Sequence, residues 1–305
     1  MQPEDVYGLT GIGDVRISPD GSRLAYVVTS IDRNANEYRA AIWVAGRDGS
    51  EPRRFTAGDK RDGSPRWSPD GRSLAFVSNR GDEKAQAQIY VIPAEGGEAR
   101  KLTDLKDGAG EPVWSPDSTR IAFAARVPDE AYEEEDDKKR RPRRFTRLMF
   151  KLDSTGWIGD RRKHVFVVDL EGGEPRQITT GDGEHDSPAW TADGKQLLFV
   201  AERGESWDTE LINRLYVVDA AGGEPRQLTG DDASYEAPVV SPDGTRVAYR
   251  FTLEDGSYPH HTQLGVMNLD GSGAMLLTTS LDRQCGPYPD IREPLWDGDR
   301  LVFGV

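Results

Sequence analysis

One phrase occurs five times in this chain, as "ISPDGSRLAYV", "WSPDGRSLAFV", "WSPDSTRIAFA", "WTADGKQLLFV" and "VSPDGTRVAYR". Its marker residues are Ser18, Ser68, Ser115, Thr191 and Ser241, at steps of 50, 47, 76 and 50 residues. Each copy is followed by a second shared phrase, such as "IYVIPAEGGEARKLT" or "LYVVDAAGGEPRQLT". In "SPDG" the proline presets φ for a turn, the aspartate can bond nearby backbone, and the glycine accepts the left-handed conformation that closes a hairpin. The flanking runs are short and rich in β-branched and aromatic residues, and "EGGE" supplies a second tight turn. Each unit therefore reads as a four-stranded antiparallel meander, with strands A to D. A small meander cannot bury both faces alone, so repeats of about 40 to 45 residues must stack radially as the blades of a β-propeller.

The expected fold is thus all-β, a single incomplete propeller domain over residues 1–305. The blades fall at about 12–56, 63–103, 111–179, 186–229 and 236–278, five complete repeats, with the first hairpin of a sixth at 287–305. In that last piece "WDGDRLVF" is the blade phrase shortened by two residues. Ending with two strands leaves an open blade edge, so we expect a fragment of a longer chain, less stable than the same chain extended through further blades. The long 76-residue step reflects an insertion in the third blade, residues 127–163.

In such a meander the A–B and C–D turns share one end of the blade, and the B–C loops share the other. The second end carries the variable loops and the insertion, where function on a rigid scaffold tends to sit. The first half of the insertion, "PDEAYEEEDDKKRRPRRFTR", is an acidic block followed by a basic one. It could be a partner-binding arm or a nucleic-acid patch; the reading adopted is a mobile solvated loop, too polar to pack, whose residues 129–144 can be deleted without loss of the fold. The second half, "LMFKLDSTGWIGDRRKHVFVVD", is more apolar and is expected to order against the rim or over the central channel.

Chemistry is sparse in this sequence. There is no G-x-S-x-G nucleophile elbow; "GRSLA" around Ser73 lacks the second glycine and lies in a repeat strand. The four histidines, His164, His185, His260 and His261, show no metal-ligand spacing, and no phosphate-binding loop occurs. No metal or cofactor is expected. Acidic residues before the A strands, as in "GDGEHDSPAW" and "GDDASYEAPVV", read as solvated loops in preference to an acidic rim for a cationic group. Trp67, Trp114, Trp190 and Trp296 recur just before the turns and read as packing between blades.

The 53 acidic against 39 basic residues give a net charge of -14, which disfavours nucleic acid as a partner. Cys285, the one cysteine, excludes an internal disulfide and fits a reducing compartment. With neither a signal-like start nor an apolar run of membrane-spanning length, the expected location is cytoplasmic, with no membrane partner.

Together, "WSPDGRSLAFVSNR", "GGEPRQLT" and "FKLDSTGW…DRRKHVFVVD" resemble the non-catalytic propeller of the prolyl oligopeptidase family of serine peptidases, most closely its acylaminoacyl-peptidase branch. The blade phrase alone is also similar to the TolB propeller. The peptidase resemblance implies a parent propeller of seven blades that restricts access to a C-terminal α/β-hydrolase domain in the same chain, with the Ser-Asp-His triad in that domain. No catalytic residue is carried over here. The implied function is gating and selection of short or N-acylated peptide substrates; the alternative is a stand-alone TolB-like protein-binding module. Candidate channel or interdomain residues are Asp153, Trp157, Arg161, Arg162, His260 and His261. Oligomerisation is left open.

Overall fold

The computed structural model describes residues 2–305 except 82–84, 135, 137, 154, 211, 255–259 and 288–292. Five four-stranded antiparallel sheets follow one another along the chain, as the repeat requires. The first holds β1 (Thr10–Ile17), β2 (Arg23–Asp32), β3 (Glu37–Gly46) and β4 (Arg53–Arg54), and the second β5 (Asp62–Trp67), β6 (Ser73–Ser78), β7 (Gln88–Pro93) and β8 (Arg100–Lys101). The third begins with β9 (Val113–Trp114) and β10 (Arg120–Pro128). A two-stranded hairpin, β11 (Lys151–Leu152) and β12 (Gly156–Trp157), then interrupts it before β13 (Arg161–Asp169) and β14 (Arg176–Gln177). The fourth holds β15 (Glu184–Trp190), β16 (Gln196–Glu202), β17 (Arg214–Asp219) and β18 (Arg226–Gln227), with the short helix α1 (Trp207–Glu210) in its B–C loop. The fifth holds β19 (Ala233–Val240), β20 (Arg246–Leu253), β21 (Gln263–Asn268) and β22 (Met275–Leu276), and the hairpin β23 (Leu295–Asp297) and β24 (Arg300–Val302) follows.

The chain divides into two compact units, residues 1–125 with 168–175, and residues 126–167 with 176–305. The core of the first unit gathers Ile42, Leu74 and Phe76, all fully buried, with Trp67 and Tyr90. That of the second gathers Leu198, Leu215, Val247, Tyr249 and Phe251. Apart from Trp67, which ends the A strand β5, these residues come from the B and C strands, whose continuous apolar runs reflect burial on both faces.

The turn phrase is stitched by its first residue as well as by its glycine. Ser18 Oγ donates to Asp20 at 2.5 Å and accepts from Arg23 N at 2.9 Å, and the same pair of bonds recurs at Ser68, Ser115, Thr191 and Ser241. The aspartate also accepts the backbone N–H two residues on. Gly71 has φ 69°, and Ser118, the one non-glycine at this position, adopts φ 60°. The hydroxyl at the end of the second phrase has a matching role: Thr56, Thr103, Thr179, Thr229 and Thr278 each accept a strand-C N–H through Oγ1, at 2.8–3.1 Å. The D strands are two residues long because this hydroxyl takes over from the backbone ladder.

The recurrent tryptophans join blades by a directed bond as well as by packing. Trp67 Nε1 donates to Arg16 O at 3.2 Å, Trp114 Nε1 to Arg66 O at 2.9 Å, and Trp296 Nε1 to Val239 O at 3.0 Å. In each case the acceptor lies one residue before the corresponding position of the preceding blade. Turn arginines cover the rings, Arg23 lying 5.1 Å from Trp67 and Arg246 lying 5.0 Å from Trp296.

One feature has no signal in the sequence. Four A strands carry a bulge, with Asp14, Ser64, Ser187 and Ala237 at φ 44–50°. The extra residue re-aims neighbouring side chains. In the first unit Arg66 donates to Asp14 at 2.8 Å and to Glu111 at 2.6 Å, an ion ladder that joins β1 and β5 to the segment leading into β9.

Candidate functional site

The repeat is elaborated most strongly between β10 and β13, and there the structure builds its most differentiated surface. The insertion leaves and returns through one backbone bond, Asp129 N to Asp160 O at 2.7 Å. Between these points the β11–β12 hairpin closes on Phe150 O, which accepts from Ile158 N at 2.9 Å and Gly159 N at 3.2 Å. Ile158 is fully buried beneath it. The apolar second half of the insertion is therefore ordered, and it is anchored by side chains from the basic run that precedes it.

Two anchors matter. Arg143 forks onto Asp160 Oδ2 through Nε at 3.0 Å and Nη2 at 2.9 Å, and the Asp160 side chain is only 5% exposed. Arg147 bonds Asp182 at 2.9 Å and Asp208 at 3.1 Å, while Leu148 N donates to Asp208 Oδ2 at 2.6 Å. Arg162 reaches the same Asp182 at 2.8 Å and lies 4.8 Å over the buried Trp207 ring of α1. Arg126 completes the lattice on Glu184 at 3.0 Å. The Asp182 hydrogen bond is the chief reason that the Arg147 guanidinium is held above its ordinary pKa. Burial works to raise the Asp208 carboxyl, but the Leu148 N–H and Arg147 outweigh it and the group stays below the usual carboxylate range. Glu202 is pushed up by burial and by its neighbours Glu184 and Asp208.

The basic run was expected to be solvated, and its last third is not: Arg143 and Arg147 are tied to carboxylates whose side chains are almost wholly buried. The acidic residues at the entry to the fourth A strand are likewise paired, Asp182 with two arginines, Glu184 with Arg126, and Asp186 with Lys163 at 2.6 Å. Each block finds its opposite charge across the fold, at separations in sequence that no local pattern reveals, while Asp182 and Asp186 stay half exposed.

Above Asp160 lies a cleft of about 240 Å³, counted to its open mouth, lined by Tyr132, Arg143, Arg144, Phe145, Phe150 and Trp157 among others. Its rings pack on one another, Phe145 against Phe150 at 4.6 Å and against Trp157 at 5.5 Å. Arg143 and Lys151 both sit over Trp157, at 5.1 and 5.3 Å.

Of the six candidates from sequence, Trp157 forms part of this cleft, and Arg161 stands beside it with Nε 3.5 Å from Asp160 Oδ1. Arg162 belongs to the adjacent lattice on Asp182. Asp153 is exposed in the β11–β12 turn. His260 and His261 lie on the fifth blade, where His261 pairs with Asp282 at 3.2 Å; the neighbouring loop residues 255–259 fall outside the described residues. Sequence reasoning missed Arg143, Asp160, Arg147, Asp208 and Trp207. The available signal was the aromatic spacing inside the charge run, Phe145 and Phe150 flanking Arg147. Among the described residues no group of three His, Cys, Asp or Glu is placed to hold a metal ion, and no helix is long and apolar enough to cross a membrane.

Residues 10–141 and 145–290 match the TolB beta propeller domain family. A curated relative, the uncharacterized peptidase YuxL of Bacillus subtilis (strain 168), is 34% identical over 211 residues, which are 67% of this chain and 32% of that protein. The chain thus matches about a third of that relative's length. The acylaminoacyl peptidase of Pyrococcus horikoshii superposes with a TM-score of 0.72 at 20% identity, over 92% of this chain and 42% of that one. A putative TolB from Agrobacterium tumefaciens gives a TM-score of 0.58 at 19% identity, over 87% of this chain and 80% of that one.

Proposed function

The chain belongs to the TolB beta propeller domain family, and on that premise we propose that it is the non-catalytic, substrate-selecting propeller of a serine peptidase. It would gate access of short or N-acylated peptides to a C-terminal α/β-hydrolase domain of the same parent protein, in the cytoplasm. The observation that carries this reading is the insertion itself, the one large departure from the repeat. It is fixed at the variable-loop end of its blade by Arg143, Arg147 and Arg162, and it forms a small open cleft lined by aromatic rings. Binding energy at such a remote site can be used to position a substrate for chemistry done elsewhere. The 34% identity to a peptidase supports the same reading.

A stand-alone protein-binding propeller is the second reading, favoured by the high coverage of the TolB chain. The test is direct. Reading the gene beyond codon 305 should reveal G-x-S-x-G followed by Asp and then His, the order of an α/β-hydrolase. The whole gene product should then cleave N-acyl-aminoacyl chromogenic substrates, be silenced by serine reagents, and discriminate against long peptides, whereas residues 1–305 alone should release nothing. An immediate stop codon, or serine-reagent-sensitive turnover by residues 1–305, overturns the proposal.

A further inference from the structure

The cleft on the insertion has the makings of a subsite for one defined chemical group. Its floor is aromatic, with Phe145 52% exposed and stacked on Phe150 and Trp157. It is a small, open cleft with little enclosed space, short of a pocket that would engulf a whole ligand.

Its electrostatics select the sign of what binds. A cation drawn to the π faces would meet two already in place, because Arg143 and Lys151 both lie over Trp157. Of the cleft's arginines, Arg143 is bonded to Asp160. Arg144 is exposed and has no ion-pair or hydrogen-bond partner among the described residues. Asp160 is the carboxylate of the lining, and it is buried and occupied by Arg143. On a chain of net charge -14, the cleft therefore presents an uncommitted guanidinium beside an apolar floor. A guanidinium in that position suits bidentate pairing with a carboxylate.

We propose that the cleft binds the C-terminal residue of a peptide, its free carboxylate on Arg144 and its apolar side chain on Phe145, Phe150 and Trp157. One guanidinium matches one carboxylate, and the stacked rings offer an apolar face to the adjoining side chain. This deepens the peptide-handling role and takes its ligand class from it. The test reads binding rather than turnover, so a negative result leaves the peptidase reading standing, and absence of a hydrolase domain leaves the subsite standing.

The probe is a fluorescein-labelled Gly-Gly-Ala-Phe, titrated by anisotropy with residues 1–305. Saturable binding of the free acid is expected, weakened roughly tenfold or more in the C-terminal amide and by Arg144→Ala, with partial recovery in Arg144→Lys. Phe145→Ala should weaken it comparably. Both residues are exposed, so circular dichroism and melting should be unchanged. Equal binding of acid and amide, indifference to Arg144→Ala, or no binding up to about 1 mM peptide overturns the proposal. An amidated Gly-Gly-Asp-Phe that binds as well as the free acid overturns the chain-end assignment in favour of an internal acidic residue. Displacement by inorganic phosphate with no dependence on the phenylalanine overturns it in favour of a plain anion site.

Discussion

Gly71 carries two separable burdens, a conformation and a lack of bulk, and the structure isolates the first. Its φ is 69°, and a Cβ placed there would meet only Pro19 Cδ, at 4.0 Å. Gly71→Val should therefore lower stability by about 1–2 kcal/mol through backbone strain alone, read as a shift in the urea midpoint. Arg72→Ala beside it should change stability by less than about 0.5 kcal/mol, since Arg72 is largely exposed and its Asp70 contact is 4.0 Å. The glycine's role was legible from the turn phrase. The serine's was not, because a hydroxyl that bridges a carboxylate and an N–H five residues away is invisible to a turn rule written for proline and glycine. Trp114 is a parallel case. Its burial between blades could be read from recurrence, but the bond from Nε1 to Arg66 O needed coordinates. Trp114→Phe keeps most of the ring and removes the donor, so it should cost about 1 kcal/mol or more; an unchanged melt would mean that packing does all the joining.

At the level of elements, the strands followed from alternation and turns, whereas the insertion did not follow from composition. Its charges looked self-compensating within the run, yet Arg143 pairs with Asp160 and Arg147 with Asp182 and Asp208, partners 17, 35 and 61 residues away. Opposite charges distant in sequence leave no periodic trace. Trp157, Arg161 and Arg162 could be singled out because they sit in the apolar half that runs into strand C, while Arg143 and Arg147 were hidden among like residues. The consequence is local. Asp160→Ala removes the carboxylate that holds Arg143 and stands beside Arg161, and should loosen the loop without unfolding the blades. Trypsin should then cut within residues 138–144 markedly faster than in the parent protein, while the global melt moves little. Unchanged cleavage would show that the Arg143 fork does not restrain this segment. Deleting residues 129–144 would likewise strip Asp160 of its partner, so the deletion should disturb the β11–β12 hairpin more than a solvated loop would allow.

Across the whole molecule, acidity should act in two windows set by different groups. The turn carboxylates of Asp20, Asp117 and Asp243 are lowered to about 2, chiefly by the hydroxyls of Ser18, Ser115 and Ser241. Their contribution is fully present above the ordinary 3.8 and is lost as pH falls through about 2. The histidines act earlier. His164 and His185 are buried and stacked at 4.9 Å, with His185 also against Phe199 at 5.6 Å. Burial, then Arg203 and Arg162, hold His164 down to about 4; burial, then His164, holds His185 down to about 3. The geometry gives the reason: His185 Nδ1 lies 3.1 Å from Lys163 O, which makes it the protonated nitrogen, and among the described residues the buried Nε2 has no partner to accept a second proton's bond. The unfolded chain takes up protons on these rings near 6.5 while the folded one resists. Stability should therefore be full above 6.5 and decline as pH falls toward about 4, before the turn carboxylates titrate. His185→Phe preserves the ring contacts and removes one titrating group, and the lost bond to Lys163 O is a penalty independent of pH. The variant's urea-unfolding free energy should accordingly fall less steeply between pH 6.5 and about 4 than that of the parent. Parallel curves for the two proteins would mean that His185 takes up its proton in the folded state as readily as in the unfolded one.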